Sequence, residues 1–311
     1  MKKTITLTSR ERFGRRVPSQ AFGCVLERIP EAVRQSVRMA VEGRSRARGK
    51  RPAWLRAAAD IRFLGHDGED QTHLHFDAPT LGEAAPSLYE QQELWPTKPN
   101  AADTGFDILA DVFEDVAARN ADSERFDRPL LESLANFHKV LNGTFAEMRV
   151  PRRPGSSGPV VVTPQTAEIA RNLYTNTPQP QRVRVIGKLD MVRASTQSFG
   201  VLLDDGQEIR GVLVEGNIES ISQLLNQRVL VVGKAVYRAS GRPLRIDAEA
   251  VSKATDESRF FSTIPKPVRL HFDLREVVRD QQHKLGVAGI MGKWPGDETE
   301  EEILQALEEL S

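Results

Sequence analysis

Residues 181–252 constrain this chain more than any other part of it. VRVIGKLDMV, SFGVLLD, QEIRGVLV, RVLVVGKAVYR and LRIDAEAV each run apolar or alternate over strand length. Asp205-Gly206 separates the second run from the third, a pair suited to the positive φ of a tight hairpin turn. ASGRP turns the fourth run into the fifth. Between the third and fourth, NIESISQLLN changes to helical spacing, with Asn217 as N-cap and Ile218, Ile221, Leu224 and Leu225 apolar. Three strands, one helix and two strands, in about 70 residues, is the element order of an OB-type barrel. A small SH3-like barrel is the second choice, because it usually lacks the inserted helix.

The residues before this block read as a different architecture. KTITLTS at 3–9 alternates as a strand, and a helical pattern follows over roughly 20–42, with Pro30 restarting it at a first turn. A short helix near 53–58 leads into DIRFLG and THLHFDA, two runs flanking a polar turn that predict a hairpin. Residues 78–103, with their prolines and acidic clusters, predict an exposed irregular crossing. Phe106, Leu109, Ala110, Phe113 and Val116 then stand at helical spacing, as do Leu130, Leu131, Leu134 and Phe137 behind Pro129. Strands at 144–150 and 158–163 flank PRRPGSSGP, and a helix at 164–174 ends before TNTPQPQ, the clearest boundary in the chain. The expectation is an α+β fold: a mixed helix-and-antiparallel-sheet domain over 1–176, an OB-like barrel over 177–252 and a helical, partner-docking tail over 253–311.

The 43 basic and 43 acidic side chains cancel, but by blocks. Residues 1–58 carry a net +11, 59–135 carry −12, 136–293 carry +8, and the last 18 carry −7. A neutral total therefore does not exclude a charged partner. No run approaches the roughly 20 apolar residues that span a bilayer, and the N-terminus lacks the apolar core of a signal peptide. The single cysteine, Cys24, excludes an internal disulfide and a cysteine zinc cluster. These features predict a cytoplasmic protein without membrane contact.

No catalytic motif stands out: there is no GxSxG, phosphate-binding Gly-Lys loop or dinucleotide fingerprint. The reading is a non-enzyme with no cofactor and no metal. His73 and His75 alternate on a predicted strand near His66 and Asp67, which admits a metal site. Their simpler role is on the solvent side of a strand whose Leu74 and Phe76 pack inward. Cys24, in an apolar helix start, reads as a buried inert thiol, and the Asp pairs fall in turns. RSRARGKR offers Arg44, Arg46, Arg48, Lys50 and Arg51 to a nucleic-acid backbone. Against this, the predicted barrel has only Phe199 and Tyr237 for base stacking. The same arginines would serve equally as a solvated linker or as a docking surface for the chain's own −12 segment.

The tail carries the most specific pattern. Trp294-Pro295-Gly296-Asp297 puts a large aromatic at a turn, and Thr299 with Glu302 fits a capping box. Ile303, Leu304, Leu307 and Leu310 then form an apolar stripe on an acidic helix of about 12 residues, marginal in isolation. Such a segment docks into a partner's groove or against its own N-terminal domain. Over roughly 20 residues, on Trp294, Pro295, Gly296, Asp297, Glu298 and the Glu301-Glu302-Ile303-Leu304 run, it resembles the tails of small bacterial antitoxins encoded beside PIN-domain ribonuclease toxins. The resemblance implies a neutralising protein whose Lys293, Trp294, Pro295, Gly296, Asp297, Glu298, Ile303, Leu304 and Leu307 bind the toxin, Lys293 facing its carboxylates. This chain is several times longer than such antitoxins and shows no swapped-hairpin or ribbon-helix-helix motif. GKLDMV, the Asp-Gly hairpin and GRPLRIDAEAV also resemble barrels of uncharacterised prokaryotic proteins.

Overall fold

The alternation of Lys2–Ser9 (β1) makes it the middle strand of a five-stranded antiparallel sheet in the computed structural model, which describes residues 1–90, 98–141, 143–214, 216–255 and 263–267. Its partners are Arg62–Asp67 (β2), Thr72–Asp77 (β3), Phe145–Val150 (β4) and Val160–Val162 (β5), in the order β2-β3-β1-β4-β5. Ile5 stands opposite Leu74, and Leu7 opposite Met148. Because strand side chains alternate between faces, these apolar residues share one face, and they are buried with the helices in a single core.

Ser19–Glu42 (α1), Ala53–Ala58 (α2) and Leu81–Ala84 (α3) come from the first half, followed by Gly105–Ala117 (α4) and Arg128–Ala135 (α5). His138–Leu141 (α6) and Pro164–Asn176 (α7) complete this layer. The run β1-α1-β2-β3-α4-β4, with β1 and β3 central, is a split βαβ connectivity.

Three local expectations need correction. Pro30 lies inside α1 rather than restarting it. Val25, Ile29, Val33 and Val37 are all buried at i, i+4 spacing, and this packing outweighs the one lost backbone hydrogen bond. Residues 78–90 are not an exposed crossing: Ala78, Leu81, Ala85 and Leu88 are buried, and Thr80 bridges Thr104. The helix predicted near 128–141 divides into α5 and α6, with its four apolar residues buried as expected.

The later strands close on themselves. Gln181–Arg193 (β6), Ser198–Leu202 (β7), Glu208–Leu213 (β8), Arg228–Tyr237 (β9) and Pro243–Lys253 (β10) form a closed barrel in the order β10-β8-β7-β6-β9. All pairings are antiparallel except β8 with β10. Gly206 takes the positive φ its turn requires (83°). Asn217 caps the inserted helix Ile218–Ser222 (α8) by accepting from Glu219 N at 2.9 Å. That helix is shorter than expected: Ile218 and Ile221 pack inward, but Leu225 is exposed. The architecture is thus α+β with a closed five-stranded barrel. Among the described residues no helix is long and apolar enough to cross a membrane.

Candidate functional site

Met1–Val268 form one compact unit, and arginines from the barrel stitch it to the helical layer. Arg245 on β10 sends Nη1 to Gly43 O (3.0 Å) and Asp127 Oδ2 (3.1 Å), and Nε to Asp247 Oδ1 (2.7 Å). Burial opposes its charge, but Asp127 and Asp247 more than offset this and hold the guanidinium above its ordinary value. Arg238 reaches Asp122 O (2.8 Å) and Glu124 (2.7 Å), while Ser240 N donates to Ala121 O (3.1 Å). The acidic stretch 122–127 is therefore met largely by barrel arginines.

Between α1, α4 and the barrel lies a cleft of about 890 Å³. Met39, Ile108 and Val112 line it from the helices; Met191, Arg193 and Arg210 line it from the barrel. Arg210 on β8 donates from Nη2 to Val41 O at 3.1 Å. Its guanidinium lies against Gly43, where a Cβ would fall 2.7 Å from Arg210 Cζ, and Gly43 has φ 76° as the C-cap of α1. Burial pulls the Arg210 guanidinium below its ordinary value, as do the charges of Arg193 and Arg245. At the far end Arg153 bridges Asp103 (3.1 Å) and Asp111 (2.8 Å), and burial raises the Asp103 carboxyl. Tyr89 donates to Pro99 O at 3.0 Å; burial, helped by Asp103, pushes its phenol up to about 12.

The predicted basic site is partly absorbed by the fold. Arg44 pairs with Glu42 at 2.9 Å, and Arg46 with Glu132 at 3.4 Å and with Ser133. Ser45, between them, donates its backbone N–H to Asp127. Arg48, Lys50 and Arg51 are exposed. A neighbour that sequence spacing does not single out is Arg34: burial and then the charges of Arg51, Arg46 and Arg38 draw its guanidinium below the ordinary value. Four arginines from α1 and the following connector thus gather at one corner. The barrel offers no stacking platform there, since Phe199 and Tyr237 are both fully buried.

His73 and His75 share the sheet face away from the core, with Leu74 and Phe76 buried. Their Nδ1 atoms meet Thr6 and Thr4 Oγ1, each at 3.1 Å, and His75 Nε2 lies 3.1 Å from Asp67. Among the described residues no three His, Cys, Asp or Glu side chains converge as a metal site. Cys24 is half-buried rather than buried, and its Sγ accepts from Arg28 Nε at 3.2 Å. Lys293, Trp294, Pro295, Gly296, Asp297, Glu298, Ile303, Leu304 and Leu307 lie outside the described residues.

The sequence matches no protein-family model and no curated protein. What the chain does must be argued from its own residues. Asp127, Arg210 and Arg245 were not singled out by spacing, because each gains its role from residues far away in the chain.

Proposed function

We propose that this chain is a non-catalytic, cytoplasmic binding protein that neutralises a PIN-type ribonuclease through its tail. In this reading residues 1–176 and an OB-type barrel over 177–252 carry a docking segment within 253–311. The observation that supports it is the Trp294-Pro295-Gly296-Asp297 turn followed by the Ile303, Leu304 and Leu307 stripe. The strand order, the helix between the third and fourth barrel strands and the parallel pairing of the third with the fifth support the OB assignment. The chain is held on the barrel as far as Pro265, whose carbonyl accepts from Tyr237 Oη at 3.1 Å, with Ile264 against the barrel core. Residues 286–311 follow that anchored stretch in the sequence, so their removal spares Ile264 and Pro265. The expected result is loss of binding to the ribonuclease encoded by the neighbouring gene, with an unchanged melting curve. Trp294→Ala should weaken binding by about 2 kcal/mol or more, as for an aromatic anchor. Full inhibition by the truncated protein would refute the reading.

The corner formed by Arg34, Arg38, Arg46 and Arg51, with Arg48 and Lys50 exposed beside it, favours a second reading as a nucleic-acid-binding protein. Without aromatic platforms in the barrel, such binding rests on phosphate contacts and falls steeply with salt. Replacing Arg46, Arg48, Lys50 and Arg51 by alanine should abolish it. A salt-independent affinity, or one untouched by that variant, rejects this reading.

A further inference from the structure

We propose that the cleft between α1, α4 and the barrel binds a small phosphate monoester of nucleotide size, with Arg210 taking its charge. This site is separate from the tail and from the arginine corner. Its volume of about 890 Å³ lies within the range of small-molecule pockets.

Two groups in it lack what they need from the protein. Arg210 is half-buried and, among the described residues, forms no ion pair. Among the described residues its guanidinium donates one hydrogen bond, to Val41 O, which supplies no negative charge. A guanidinium carries five N–H donors in a rigid fork suited to phosphate, so most of that fork remains for a ligand. The nearby carboxylates are committed elsewhere: Glu42 to Arg38 and Arg44, Glu124 to Arg238, and Asp103 and Asp111 to Arg153. Glu208 stands at the exposed rim. Gly43 gives the guanidinium a flat seat that any side chain would occupy.

The second group is Ser36 on α1. It is fully buried, lines the same cleft, and its Oγ has no hydrogen-bond partner. Buried hydroxyls are normally satisfied. A cation without a direct ion pair and a hydroxyl without a partner on one cavity are both answered by anionic oxygens. Ala40, Met191, Pro243 and Leu244, partly exposed in the cleft, form an apolar wall for the non-polar body of a ligand. Inorganic phosphate would leave that wall unused, and a bare nucleoside would leave Arg210 unanswered.

Calorimetric titration of the full chain with AMP, UMP, adenosine and inorganic phosphate tests this. Saturable binding of a nucleoside monophosphate is expected, at least about tenfold tighter than either adenosine or phosphate alone. Arg210→Met should reduce nucleotide affinity by at least about tenfold in protein whose melting curve shows it folded. A purely structural residue would leave the affinity of the folded variant unchanged. Ser36→Ala should fold normally and bind several-fold more weakly. Should Arg210→Met fail to fold, Met191→Trp, which fills the cleft from the barrel side, must abolish binding. The proposal is overturned if no nucleotide binds at millimolar concentration, or if phosphate alone binds as tightly. It is overturned equally if folded Arg210→Met, or Met191→Trp in its place, keeps parental affinity.

Discussion

Asp127→Ala is expected to cost about 3–5 kcal/mol of stability, a large share of what a folded chain normally has. The carboxylate is fully buried and gathers three segments. It accepts from Leu130 N (3.3 Å) as the cap of α5, from the backbone and hydroxyl of Ser45, and from Arg245 Nη1 (3.1 Å) on the barrel. Arg245 is itself only 6% exposed, so removing Asp127 strands a buried cation with Asp247 as its remaining carboxylate. Truncating one partner of a buried pair costs far more than replacing both by apolar groups. The double variant Asp127→Leu with Arg245→Met should therefore recover part of the loss, less the value of the α5 cap. Chemical denaturation at constant slope measures both quantities. A loss below about 1 kcal/mol for Asp127→Ala would mean that Asp247 alone satisfies Arg245, in the manner of an inexpensive surface pair.

This hub shows why part of the molecule was legible in the sequence and part was not. Strands, turns and caps are local. Asp205-Gly206, Pro129 and Asn217 act on residues within a few positions, and each does in the fold what its chemistry dictates. Pro30 was misread because its cost is local while the compensation is not: α1 is held continuous by a core assembled from β1, β3 and α4. The irregular look of 78–90 failed for the same reason, its few apolar residues being buried by distant elements.

The candidate sites divide in the same way. The charge blocks were visible, yet sequence could not say which block meets which. The −12 segment receives Arg238, Arg242 and Arg245 from the barrel, Arg152 and Arg153 from the loop after β4, and Lys3, Arg12, Arg46 and the N-terminal amine from the basic block. The basic block consequently keeps Arg48, Lys50 and Arg51 exposed. Arg210 and Ser36 are separated by more than half the chain and carry no motif, so nothing short of the folded cleft associates them.

Gly233→Val should be comparably damaging, through backbone collision rather than charge. Gly233 lies on β9 between Val183 of β6 and Ala248 of β10, where the β9–β10 register shifts between Ala248 and Ala250. A Cβ there would stand 2.8 Å from Ala248 Cα and 3.0 Å from Asp247 C, and closer still to the Asp247 carbonyl oxygen. These are main-chain atoms of the neighbouring strand, so no rotamer change relieves the contact. Glycine at such a position permits close approach where a barrel turns a corner. Ordinary overpacking of a core costs about 1–3 kcal/mol because side chains shift. Here β9 and β10 must part instead, which also disturbs Tyr237 and its hydrogen bond to Pro265. The expected loss is about 3 kcal/mol or more, beyond that ordinary range, with amide exchange accelerated across the barrel strands. The same substitution at Gly206, where nothing lies within 4 Å of a Cβ but φ is 83°, tests conformational strain alone and should cost less. If Gly233→Val proves the milder of the two, the barrel closes with more slack than its geometry indicates.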